Sequence, residues 1–274
     1  MWIKKKEIEK LSNDVKQIIT GQCIDLRDHK EGPFMILKND IHTLISTQKQ
    51  KVSVLENERK ILEETLADIS HQLKTPLTSM MIMADLLEDA PPIKQKEFIS
   101  NIQTSLQKTE WLVSSLLKMA KLEAKTIKFN KKSVPVYDIV NSALIPLKIQ
   151  IELRNQNIVA TTYNEIVCDK RWTSEALSNL IKNASEQSPP GSVITIKSGE
   201  NPICRWISVT DEGSGISKEK LAKIFKRFEA SDNINGYGIG LPLALTIMKS
   251  QFGDIDVSRS TTGTGTTFTL KFYN

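Results

Sequence analysis

KVSVLENERKILEETLADISHQLKTPLTSMMIMADLLEDAPP, residues 51–92, is the stretch that decides the fold. Val52, Leu55, Leu62, Leu66, Ile69, Leu73, Leu77, Met80, Ala84 and Leu87 step by threes and fours, with Arg59 the one charged member of the series. Steps of that kind put one apolar stripe on a long helix, in a heptad-like seam. Ala90-Pro91-Pro92 ends the helix, because proline lacks an N–H and restrains the residue before it. A second stripe, through Phe98, Ile102, Leu106, Thr109, Val113, Leu116 and Ala120, predicts a return helix. Two helices alone leave much of these stripes bare. A homodimer would close them into a four-helix bundle.

Outward from this hairpin the composition changes. Residues 49–124 contain no glycine. Residues 1–48 are mixed and polar, with Gly21, Gly32 and Pro33 interrupting two short helical patterns, and read as a linker. After Lys125, β-like runs (Ser192–Lys197, Arg205–Thr210, Thr266–Phe272) alternate with helical ones (Ser174–Glu186, Lys218–Phe225, Leu241–Phe252). That alternation predicts a layered α/β sandwich over residues 125–274, so the fold class is α+β.

At 274 residues, 39% hydrophobic and 25% charged, the chain has a globular balance. No run approaches the roughly 18–20 apolar residues of a membrane span; Ile239–Met248 is too short and carries Pro242. Met1-Trp2-Ile3 runs into Lys4-Lys5-Lys6 with no apolar core of a signal peptide. The net charge of +5 is spread without a dense basic stripe, so no direct nucleic-acid contact is expected. Cys23, Cys168 and Cys204 have neither metal-ligand nor disulfide spacing, which suits a reducing cytosol.

Several motifs carry chemistry. His71 lies in Ser70-His71-Gln72-Leu73-Lys74-Thr75-Pro76-Leu77, two residues from Ile69 and from Leu73, so it faces away from the seam. Thr75, four residues on, shares its face. An exposed helical histidine is usually inert, but a proline five residues later is unusual in a helix. Asn179 and Asn183, also four apart, put two amides on one helical face; such a pair is either solvated or able to join a magnesium ion that bridges phosphates. Three glycine clusters follow: Asp211-Glu212-Gly213-Ser214-Gly215, Gly236-Tyr237-Gly238-Ile239-Gly240-Leu241 and Gly263-Thr264-Gly265. The second opens a helix, where free N–H groups favour phosphate. None fits a dinucleotide fingerprint or a P-loop. Each alone could be a turn.

In this order and spacing the motifs resemble those of bacterial two-component sensor histidine kinases, from about residue 50 to the C-terminus. Ser70–Leu77 resembles the H box, Asn179–Ala184 the N box, Ile224–Phe228 the phenylalanine box, and the glycine clusters the nucleotide-binding glycine boxes. The resemblance implies a dimerisation and phosphotransfer domain over 49–124 and an ATP-binding catalytic domain of the histidine-kinase and gyrase type over 125–274. It makes residues 1–48 a signal-transmission segment, HAMP-like in part. By position, it implies that His71 accepts phosphate, with Gln72, Thr75 and Arg227 as its catalytic company, Arg227 toward the γ-phosphate. Asn183 would hold Mg²⁺ and Asn179 would stand near the phosphates. Asp211 would accept from the adenine amino group beside Gly213 and Gly215. Residues 228–236 would form a lid, and Gly236, Gly238, Gly240, Leu241 and Gly265 complete the ATP site. A homodimer and the receiver domain of a response regulator are the implied partners.

Two positions depart from the family pattern. Gln72 stands where Asp or Glu is usual and cannot take a proton; Glu186-Gln187 stands where Lys-Tyr or Glu-His is common. A hydrolysing ATPase of the gyrase type would need a glutamate at Asn179 to activate water. A scaffold or phosphatase without kinase activity would not need the retained Asn183, Asp211 and glycines. Trp2-Ile3 before three lysines resembles the cytoplasmic end of a membrane span. The expected location is therefore cytoplasmic, as a soluble kinase or as the cytosolic part of a membrane sensor whose N-terminal part is missing or separate.

Overall fold

The computed structural model describes residues 5–20, 33–88, 90–162, 164–229, 238–258 and 265–273. They fall into two compact units, residues 1–69 and 70–274, and the boundary lies inside one long helix. No described helix is long and apolar enough to cross a membrane.

In the first unit, α1 (Lys5–Ile19) is amphipathic: Leu11 and Ile18 are buried against Phe34, Ile41 and Ile45 of α2 (Pro33–Asp85). The composition changes near residue 48, but the helix does not. Pro33 starts α2, a position where its missing N–H costs nothing, and no further proline or glycine intervenes before Pro76. Helix therefore runs unbroken across the linker–hairpin boundary, and Pro76 sits inside it without ending it. Gly21, Gly32 and Cys23 lie outside the described residues. The first part of the seam on α2 is exposed, with Leu55, Leu62 and Leu66 at 62%, 58% and 54%, whereas further along Leu73 packs on the core and Met80 is buried.

In the second unit, α2 ends before the two prolines, and Gln95 Nε2 donates to Leu87 O at 3.3 Å to tie the turn to α3 (Pro92–Glu123). The return helix carries two apolar faces where one was expected. Leu106 and Val113, of the expected seam, are exposed. Leu112, Ser115, Met119 and Leu122, outside that seam, are buried, and α3 packs there against α8 (Gly240–Ser250). Leu116, assigned to the dimer seam, joins this second face and packs on the same core. The cause is the shared spacing: 112, 115, 119 and 122 also step by threes and fours, and a search for one stripe hides a second.

The remainder is a five-stranded sheet in the order β2-β4-β5-β7-β6: β2 (Asn157–Thr161), β4 (Val193–Glu200), β5 (Cys204–Thr210), β7 (Thr267–Tyr273) and β6 (Gly253–Ser258). Only β2 and β4 are parallel; the other pairs are antiparallel. Alternation drives the layering. Ile194 and Ile196 of β4, Ile207 and Val209 of β5, and Phe268 and Leu270 of β7 are fully buried, while on β4 Thr195 is half-buried and Lys197 exposed. Their cover is α4 (Val136–Leu144), α6 (Lys170–Gln187) and α8, whose Ile139, Leu177, Leu180, Ile181, Leu243 and Ile247 complete one core. A second, two-stranded sheet pairs β1 (Lys132–Pro135) with β3 (Glu165–Cys168). A short α5 (Lys148–Leu153) leads into β2. α7 covers Lys218–Leu221, not Lys218–Phe225, because after Ser217 caps it the bonds shorten to three-residue turns such as Lys223 N to Lys220 O and Lys226 N to Lys223 O.

Candidate functional site

α6 is the element on which the site converges. Asp169 caps it, accepting from Trp172 N at 3.2 Å through one oxygen and from Asn130 N at 2.8 Å through the other. The apolar stripe Ala176, Leu177, Leu180, Ile181 and Ala184 presses into the core and so fixes the direction of both asparagines. Asn179 is buried and Asn183 half-buried. Asn179 Nδ2 donates to Glu175 O at 2.9 Å, which turns Oδ1 toward the start of α8: a Cβ on Gly240 would stand 3.1 Å from it. Ile239, at the cap of α8, makes no side-chain capping bond to the N–H groups of Gly240 and Leu241.

The second half of the site is the loop after β5. Asp211 is 2% exposed, and its Oδ1 accepts from Gly213 N at 2.9 Å and Thr266 N at 3.0 Å. Its backbone N–H donates to Thr266 O at 2.9 Å. Gly265 makes this clasp possible: it has φ +77°, and a Cβ there would stand 2.0 Å from Asp211 O. Asp211 Oδ2 is buried with no hydrogen-bond partner among the described residues. Burial pushes this carboxyl above its usual range, against the pull of the two backbone N–H groups. A buried acceptor without a donor is costly and apt to receive one from a ligand. The loop also reaches α6, since a Cβ on Gly213 would stand 2.7 Å from Gln187 O.

Gly238 closes the base of the segment between the phenylalanine box and α8: its carbonyl accepts from Phe228 N at 3.2 Å, with Gly238 at φ +65° and Phe228 at +59°. Ile224, Phe225 and Phe228 pack on the core. Arg227, among them, pairs with Glu123 at the end of α3. Two more contacts join α3 to α6: Lys118 Nζ to Glu175 Oε1 at 2.8 Å, and Lys182 Nζ over the Trp111 ring at 4.3 Å. Sequence reasoning missed Glu123, Lys118 and Trp111 altogether. Glu186, where the sequence departs from the family pattern, lies among Lys182, Arg154 and Lys108, and burial raises its carboxyl above the usual range despite them.

The expected residues thus separate into groups. Asn179, Gly240 and Leu241 meet at the start of α8; Asp211, Gly213 and Gly265 form the clasp; Gly215 takes φ +77° just beyond it. Gly236 and most of the expected lid lie outside the described residues. His71 is exposed on α2 with Gln72 half-buried beside it, and Thr75 Oγ1 donates to His71 O at 3.2 Å. Among the described contacts, none joins His71 to the other groups. The described residues contain no cluster of three His, Cys, Asp or Glu able to hold a metal.

Residues 168–273 match the family described as Histidine kinase-, DNA gyrase B-, and HSP90-like ATPase, and residues 61–125 match the His Kinase A (phospho-acceptor) domain. Sporulation kinase C of Bacillus subtilis (strain 168) is 30% identical over 251 residues, 90% of this chain and 55% of that protein. Sensor protein SrrB of Staphylococcus aureus (strain MRSA252) is 30% identical over 224 residues, 76% of this chain and 37% of that protein. The chain therefore spans 55% and 37% of these relatives' length. Among solved structures, histidine kinase ThkA in complex with response regulator protein TrrA aligns with TM-score 0.65 at 19% identity, covering 82% of this chain and 66% of that one. The Acinetobacter baumannii histidine kinase AdeS aligns with TM-score 0.59 at 22% identity, covering 74% and 97%. At these identities the likeness is one of fold.

Proposed function

This chain belongs to the histidine kinases that join a phosphoacceptor helix pair to a gyrase-type ATPase domain, and on that premise we propose that it moves the γ-phosphate of ATP to His71 and then to an aspartate of a response regulator. The observation that carries the reading is the buried Asp211 Oδ2 beside the glycine clasp, which has no partner among the described residues. It has the chemistry to accept the adenine amino group. Asn179 and the start of α8 supply an amide oxygen and free N–H groups for phosphates. Asn183, on the same face of α6, would supply an amide oxygen to a Mg²⁺ ion. The ion would neutralise phosphate charge; positioning and neutralisation are most of what phosphoryl transfer needs. Arg227 is the cation for the γ-phosphate, and Gly238 and Gly215 let the backbone pass close to the nucleotide. We assign residues 1–48 to signal transmission, 49–124 to dimerisation and phosphotransfer and 125–274 to catalysis. ATP as substrate puts the site of action in the cytoplasm.

The bare seam supports a homodimer. Burying a leucine contributes roughly 1.5–3 kcal/mol, so Leu66→Asp should shift a micromolar sample from dimer toward monomer in sedimentation velocity. A monomeric unmodified chain would remove the bundle from the account.

Gln72 sets the pace at the phosphoacceptor. The ring nitrogen that attacks must be unprotonated, so a proton has to be held by the other one. Gln72 can orient the ring through its amide but cannot accept the proton that accumulates on the other nitrogen. Gln72→Glu should therefore speed autophosphorylation near neutral pH by about tenfold, below the roughly 10²–10⁴-fold of full general-base help. A slower Gln72→Glu variant contradicts this role. The reading as a whole is tested by calorimetric titration of the full chain with ATP, with and without Mg²⁺: binding should occur and should weaken when Mg²⁺ is withheld.

A further inference from the structure

Arg227 is held in a place where it has two uses. Its neighbours Phe225 and Phe228 pack on the core, so its backbone is anchored while its side chain, 31% exposed, pairs with Glu123 of α3, 46% exposed. Glu123 follows Leu122 and Met119, both buried, so the carboxylate is delivered by a firmly docked helix end. A guanidinium carries five N–H donors; Glu123 holds Arg227 at Nη2, and a phosphate that takes the same edge has to displace it. Resting on the reading that Arg227 serves the γ-phosphate, we propose that Glu123 is a specificity-determining residue: it is the resting partner of Arg227 and competes with the γ-phosphate of ATP for it.

ADP has no γ-phosphate and leaves the Glu123–Arg227 pair intact; ATP must displace Glu123. Glu123 therefore lowers affinity for ATP relative to ADP, and by linkage bound ATP weakens the hold of Arg227 on the end of α3. The Lys118–Glu175 and Lys182–Trp111 contacts do not pass through Arg227 and remain available in both states. The pair is half-exposed, so its effect is modest.

The test is calorimetry on the full chain with a non-hydrolysable ATP analogue and with ADP, both with Mg²⁺. Glu123→Gln should bind the analogue about two- to fivefold tighter, the span expected of an exposed ion pair, with ADP affinity unchanged. In an Arg227→Gln background the same change should have no effect on either nucleotide. Equal tightening of both nucleotides, no tightening of the analogue, or an effect that survives Arg227→Gln would overturn the proposal while leaving the Asp211 pocket standing. An unmodified chain that binds neither nucleotide would overturn the pocket and the proposal with it.

Discussion

Asp211→Asn is expected to lose about ten- to a hundredfold in affinity for ATP and for ADP alike while the unliganded chain keeps its stability at pH 7. The binding loss comes from Oδ2. With the Oδ1 position engaged by Gly213 and Thr266 N–H groups, an amide would turn its nitrogen toward the adenine amino group, donor against donor. A buried polar group left unmatched costs about 1–3 kcal/mol. The stability follows from the raised carboxyl. A carboxyl whose folded value is raised binds its proton more readily in the folded chain. Its favourable contribution is present below the unfolded value and is lost as pH rises through the raised folded one. Above the raised folded value the buried charge opposes folding, and the amide removes it. Thermal melts of the unliganded variant from acid to neutral pH should show a flatter pH dependence and no drop at pH 7. Unchanged nucleotide affinity would remove Asp211 from the pocket.

His71→Gln should lose all acid-labile, base-stable phosphate after incubation with radiolabelled ATP and Mg²⁺, and should still bind ATP. The two properties separate because His71 is exposed on α2 and shares no described contact with the α6–Asp211 group. The effect is total because glutamine has no nitrogen nucleophile comparable to imidazole. Label retained by this variant would assign the phosphate to another residue.

What was legible in the sequence was whatever repeats locally. The seam of α2 follows from spacing alone, and the asparagine pair falls on one face of α6 because 3.6 residues make a turn. The glycines of the clasp mark places where backbone meets backbone, as Gly265 meets Asp211 O. What stayed hidden depends on distant partners. β2 and β3 are five and four residues long, too short for a periodic signal. β2 exists because Asn157 to Thr161 pair with Val193 to Lys197. The second face of α3 was masked by Ser115, a polar residue buried in an otherwise apolar stripe. Glu123 and Lys118 read as ordinary surface charges until their partners, 104 and 57 positions away, arrive beside them. Leu55 and Leu66, exposed on α2, fit the role that one stripe on one helix suggests.

The central claim is that ATP held by the Asp211 pocket phosphorylates His71. The most direct measurement is mass-spectrometric mapping of phosphate on the full chain after incubation with Mg²⁺ and ATP, with digestion kept at neutral to basic pH to preserve a phosphoramidate. The account predicts phosphate on the peptide Ile61–Lys74 at His71, with none on His29 or His42. Phosphate on either of those histidines or on a serine or threonine, or no phosphate at all on a chain that binds ATP, would contradict it.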